Sequence, residues 1–237
     1  MQKKILKKVS HSTSLFLDLL RYWDWFPVIR TFCVAALVLV AFTGSFEEEK
    51  GNLIIVILYH FMVYPLGVLT NSHADRMHDL KSGKDYFKHY SNTFRYLLMG
   101  IFGFIAVGMP FIFLNVYILV STGIGIFLMI AYSLKPLRLK EKGFVGLLAA
   151  TVAQATPFTY FFFLMPSRTW FILYLYVWLL LMYFIIELSA QLRDFHDDMT
   201  NNIKTFAVRS KREGAQAVLY GATIISLFYV LLPLFTL

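Results

Sequence analysis

Two short stretches of the 237-residue sequence concentrate side chains that can do chemistry. The first is Asn71-Ser-His73-Ala-Asp75-Arg76-Met-His78-Asp79. The second is Asp194-Phe-His196-Asp197-Asp198, closely followed by Ile203-Lys204-Thr205. On a helix, residues three or four apart fall on one stripe. Asn71, Asp75 and Asp79 therefore share a face, with His78 close to it, and Glu187, Gln191, Asp194 and Asp198 share another. Two such stripes on separate helices can point into one cavity. Carboxylates gathered that way repel one another unless a cation lies between them. Magnesium suits the role, taking one or two carboxylates, several waters and substrate phosphate oxygens.

A third stretch, Tyr132-Ser-Leu-Lys135-Pro136-Leu-Arg138-Leu-Lys140, carries the opposite charge. Proline sets a turn there, and Lys135 and Arg138 can face a diphosphate. Arg76 and Lys204, inside the acidic motifs, can do the same. Lys140 and Lys142 read as basic anchors at a membrane surface. The plainer view makes all these segments solvated loops, but it leaves the repeated four-residue Asp spacing at two equivalent helix ends unexplained. Glu187 and Gln191 lie near enough to an interface to snorkel, yet an acidic side chain at that depth is a functional candidate. His73, His78 and His196 read as loop hydrogen-bonding groups, with His78 best placed to touch a metal-bound water. Zinc would want a tighter ligand set.

The elements that must position these groups are membrane spans. The chain is 58% hydrophobic and 15% charged, against about 25% charged in soluble domains. Its apolar residues come in seven runs: 26–46, 53–70, 96–113, 115–134, 144–164, 170–190 and 215–237. Each is near the ~20 residues that cross a hydrocarbon core. The expected fold is all-α, a polytopic transmembrane bundle around a central cavity and a single domain over residues 1–237, with a tight hairpin between the third and fourth spans. Residues 1–25 read as a basic amphipathic interfacial helix. Of 22 Lys and Arg residues, only Lys50 and Arg168 fall on the side opposite the N-terminus. The N-terminus and the motif-bearing loops are therefore expected in the cytoplasm. The net charge of +8 points to the membrane surface rather than nucleic acid. Cys33, the lone cysteine, is a packing residue.

These motifs together resemble the UbiA superfamily of membrane prenyltransferases. Asn71-xxx-Asp75-Arg76-xx-Asp79 is similar to its first aspartate motif, Asp194-xxx-Asp198 with Ile203-Lys204-Thr205 to its second, and the Tyr132–Lys140 loop to the segment between them. Ser72 stands where many members carry an additional Asp, Asn202 where a glycine is common, and seven spans where members usually have nine. The resemblance implies two magnesium ions, one on Asn71, Asp75 and Asp79 and one on Asp194 and Asp198. It matches Arg76, Lys135, Arg138 and Lys204 to diphosphate contacts, and it implies a prenyl diphosphate donor. The short bundle leaves a homo-oligomer open.

Ionisation of an allylic diphosphate needs a stabilised leaving group and a shielded cation. Tyr64, seven residues before Asn71, and Tyr183, four before Glu187, are the expected aromatic partners for that cation. Gly67, Gly146 and Ala150 are expected to tune cavity depth. An aromatic or other lipophilic acceptor would make the protein a prenyltransferase, whereas attack by the donor's own double bonds would make it a membrane terpene cyclase. A transporter would instead carry its site near the bilayer midplane on broken helices.

Overall fold

A computed structural model describes residues 21–43, 46–81, 90–165 and 169–231. They form α1 (Tyr22–Thr43), α2 (Phe46–Lys81), α3 (Asn92–Gly108), α4 (Val116–Ser133), α5 (Phe144–Ala155), α6 (Tyr160–Leu164), α7 (Thr169–Arg193), α8 (Phe195–Thr200), α9 (Phe206–Arg209) and α10 (Lys211–Leu231). No strand occurs among the described residues. Residues 1–20 of the expected interfacial helix, Arg168 and the end of the last apolar run lie outside them.

The fold is the expected polytopic helical bundle. Among the described residues six helices are long and apolar enough to cross a membrane, and Phe26–Ala41 is a further apolar segment within the 22-residue α1. Six of the seven expected spans thus meet the length and hydropathy of a crossing helix, and the first lies within α1, whose side chains are described over 26–41. The tight hairpin is present: a 3-10 turn carries α3 on to Phe113, Leu114 takes a left-handed φ of 48°, and Asn115 caps α4. Its Oδ1 accepts from the backbone N–H of Tyr117 and Ile118, satisfying donors a helix start leaves open.

Five helices close a ring, each packed on the next: α1 on α2, α2 on α4, α4 on α5, α5 on α7, and α7 back on α1. The aromatic core, including Phe32, Phe158, Tyr160, Phe161 and Tyr183, sits between their inner faces. α3 leans on α2 from outside and α10 on α7. Only 17% and 11% of their apolar windows are buried, against 56% for the α5–α6 span. Side chains such as Phe104 on α3 and Phe228 on α10 are exposed, and in a bilayer they face lipid. A helix apolar all round is the form such a position requires.

α2 is the longest element. Its 36 residues span ~54 Å at 1.5 Å each, so it outlasts the membrane and carries the first aspartate motif outward as an unbroken helix. The second motif differs from the expected continuous stripe. α7 ends at Arg193, Asp194 leaves helical geometry (φ −88°, ψ 6°), and α8 resumes at Phe195. Backbone bonds from Asp194 N to Ala190 O and from Asp198 N to Asp194 O bridge the bend, so Asp198 still follows Asp194 by about one turn.

Two close approaches lock the loops at this end. Gly143 has φ +63°, a conformation glycine adopts without strain, and it bridges to Thr205. The Arg209 guanidinium donates to Glu141 O at 2.9 Å and to Lys204 O at 3.1 Å. Gly146 lies against the Leu139 backbone, where an added Cβ would meet the carbonyl oxygen at 2.2 Å. Gly146→Ala should therefore cost about 1–3 kcal/mol or more, measured as a lowered midpoint of thermal unfolding in detergent, because the opposing group is backbone and cannot rotate away.

Candidate functional site

The ring encloses a cavity of about 270 Å³. One end is polar and is lined by Asn71, Asp75 and Asp79 of α2, Lys140, and Asp194, Asp197 and Asp198 of the α7–α8 bend. The interior is mainly apolar and aromatic, with Val63, Tyr64, Gly67, Ile126, Met129, Ala150, Pro157 and Ile186 in its wall. The two acidic stripes, separated by more than 100 residues, converge as the helical spacing requires.

Asp75 is a buried carboxyl held between two basic side chains. It is 8% exposed; the Arg138 Nη2 donates to its Oδ1 at 3.0 Å, and Lys140 Nζ pairs with its Oδ2. Arg138 reaches it from a left-handed backbone (φ 37°) after the cis Lys135–Pro136 peptide, and its Nε pairs with Glu141. A carboxylate has about four acceptor positions, so Asp75 keeps lone pairs for a further partner. Asn71 Oδ1 accepts from Ser133 Oγ at 3.2 Å. Deeper in the cavity, Glu187 anchors a belt: it accepts from Tyr132 Oη at 2.7 Å, Gln154 Nε2 at 3.2 Å and Gln191 Nε2 at 3.4 Å.

The second motif closes on itself. Thr205 Oγ1 donates to Asp198 Oδ2 at 3.2 Å, and Ile203 N donates to Asp198 O at 2.8 Å. Asn202 makes that turn with φ +57°. Glycine reaches this conformation without strain, and asparagine is among the few other residues that tolerate it. The Asn202 expected to replace a glycine sits where that exchange works.

The structure places several of the expected residues away from the cavity. Tyr183 is fully buried outside the cavity, its hydroxyl donating to Val28 O of α1 at 3.4 Å. Gly146 packs on the Leu139 turn instead of tuning the cavity, while Gly67 and Ala150 do line it. Arg76 points to Asn92 Oδ1 at 3.3 Å, outside the lining. Lys135 and Lys204 are exposed and stand outside it too. Arg138 supports Asp75 from behind rather than lining the cavity. Lys140, read as a membrane anchor, is 6% exposed and is the basic side chain of that loop facing the cavity. Its signal was its position two residues after Arg138, a relation that matters only once the loop turns. Gln154 had no motif to mark it; it sits on α5 opposite Glu187. His196 lies outside at 3.4 Å from Arg212, His73 rings against Tyr96, and the side chain of His78 is outside the described set.

The donor groups at the polar end are all oxygens plus flanking cations. Among the described residues no three His, Cys, Asp or Glu side chains are close enough to form a ready-made metal cage. Oxygen donors are the class that magnesium takes, together with waters and substrate phosphates.

The sequence profile of the UbiA prenyltransferase family matches residues 29–237. The chain belongs to that family. No curated protein and no solved structure matches it. UbiA proteins are intramembrane prenyltransferase-type enzymes that generally use magnesium through aspartate-rich motifs, and this chain carries both motifs at one cavity mouth.

Burial pushes the Asp198 carboxyl up to about 7 from 3.8; Asp194 and Asp75 add to the rise, while Lys140 and Thr205 oppose it. A carboxyl whose folded value is raised favours the fold when protonated, so its contribution fades as pH climbs from about 4 to about 7. In EDTA, the thermal midpoint should fall over that window, and Asp198→Asn should flatten the fall. A midpoint independent of pH in the wild type would contradict this.

Proposed function

We propose that this UbiA protein is a magnesium-dependent enzyme that moves an isoprenoid chain from a prenyl diphosphate to an aromatic or other lipophilic acceptor. One observation carries the reading: a single cavity joins a mouth of carboxylates and a buried lysine to an apolar interior. That division matches a molecule with a diphosphate at one end and a hydrocarbon at the other.

Asn71, Asp75, Asp79, Asp194 and Asp198 would hold magnesium, which when bound neutralises the diphosphate as a leaving group. Lys140 adds a cation where negative charge grows as the C–O bond lengthens. Arg138 keeps Asp75 aimed: its Nη2 donates to Asp75 while its Nε is held by Glu141. Just inside the mouth, the Glu187 carboxylate is fixed by three donors. Negative charge held at that level favours the positive charge developing on the allylic carbon. Tyr64 offers its ring face to the same cation, worth about 0.5–2 kcal/mol. Val63, Ile126, Met129 and Ile186 line the apolar interior and exclude water that would otherwise quench the cation. The basic residues of the adjoining loops support a cytoplasmic mouth, with the apolar substrates arriving from the bilayer.

The decisive measurement is pyrophosphate release by detergent-purified protein given prenyl diphosphates of increasing length, with magnesium or EDTA, and mass spectrometry of the lipid extract. Release should require magnesium and fall at least 100-fold in Asp75→Ala and in Asp194→Ala. It should also require an added acceptor. A cyclic hydrocarbon or terpene alcohol formed without acceptor would replace the transferase reading with a cyclase. No release from folded protein with any donor would reject the diphosphate reading.

A further inference from the structure

α2 presents one inner stripe to the cavity: His60, Tyr64, Gly67, Asn71, Asp75 and Asp79, at steps of four, three, four, four and four. The proposed chemistry uses this stripe from Tyr64 downward and leaves His60 without a task. His60 lies eleven residues above Asn71, ~16 Å along the helix axis, in the apolar half of the cavity. It is 1% exposed. Phe32 stacks on one face of its ring at a centroid distance of 4.2 Å, and Tyr64 meets it edge-on at 6.1 Å.

Neither Nδ1 nor Nε2 of His60 has a hydrogen-bond partner among the described residues. Two hydroxyls of the same cavity wall are engaged elsewhere: Tyr59 donates to Ala106 O at 3.2 Å, and Thr122 donates to Ile118 O at 2.8 Å while pairing with Tyr160. A neutral imidazole has one donor and one acceptor nitrogen. Buried polar atoms of this kind are almost always paired, by protein, water or ligand. If packing against Phe32 were the whole purpose, a phenyl ring would serve with no polar atom to satisfy.

We infer that His60 is the recognition point for a hydroxyl or carbonyl group on a lipophilic molecule seated in the apolar half of the cavity. The inference rests on reading the aspartate end as the diphosphate site and gives the deep end its own ligand chemistry. An isoprenoid tail filling this level would strip water from both nitrogens and return no hydrogen bond. A hydroxyl donates to the bare nitrogen or accepts from the N–H; a carbonyl accepts from the N–H. His60 therefore selects a second substrate that enters with its polar group deep and its reactive carbon turned toward the aspartate end. A site that hydrogen-bonds a ligand group discriminates strongly against the analogue lacking it.

The test is equilibrium binding of 1-naphthol and naphthalene to the full-length protein in detergent. Magnesium and inorganic pyrophosphate are present so that the aspartate end is occupied. Wild type should prefer 1-naphthol at least tenfold. His60→Leu should lose that preference and bind naphthalene as well or better, while His60→Gln, which keeps a donor and an acceptor, should retain part of it. No preference in wild type, or a preference unchanged in His60→Leu, overturns the inference. Magnesium-dependent binding of a prenyl diphosphate is measured on the same wild-type and His60→Leu samples. Its absence in wild type would reject the diphosphate site itself, whereas its persistence beside a flat naphthol result would reject only the role of His60.

Discussion

Asp75 is a buried carboxyl at the point where a helix leaves the membrane, and much of the cavity mouth is arranged to give it partners. An isolated carboxylate in so buried a position is costly. Here the cost is offset from a different segment, by Arg138 and Lys140. To deliver them the chain turns sharply after α4, holds Arg138 in a left-handed conformation, and lays the Leu139–Lys142 turn against Gly146. Gly143 and Thr205 then join that turn to the second aspartate motif. The ion pair thus links α2, the α4–α5 loop and, through the bridge, the segment after α8.

The parts of this architecture legible in the sequence are those governed by one fixed angle. α2 is unbroken through the first motif, so a four-residue spacing translates directly into a shared face, and Asn71, Asp75 and Asp79 fall where the spacing requires. The apolar runs were equally readable because hydrocarbon demands length and continuity. Extrapolation failed where a helix has two neighbours. Tyr183 extends the Glu187 stripe by one turn, but α7 is packed on α1 as well as on α5, and at that height its tyrosine turns to the α1 backbone.

Loops were the other blind spot. Spacing along Tyr132–Lys140 cannot tell which basic residue faces inward, because that depends on the positive φ at Arg138 and on the contact with Asp75. Lys135 and Lys140 exchange roles relative to the expectation for that reason: the earlier residue is exposed and the later one buried. Gln154 was invisible for a different cause. Its significance comes from Glu187 across the cavity, a relation between helices that no local pattern encodes.

The first ring helix has a consequence for the surrounding lipid. Its 22 residues span ~33 Å at 1.5 Å each, close to the ~30 Å of a hydrocarbon core. Arg30 is exposed near the start of that helix, so its aliphatic stem lies along apolar surface while the guanidinium reaches for the headgroups. The bilayer beside the start of α1 thus meets a fixed positive charge, a place where anionic headgroups gather in preference to neutral ones.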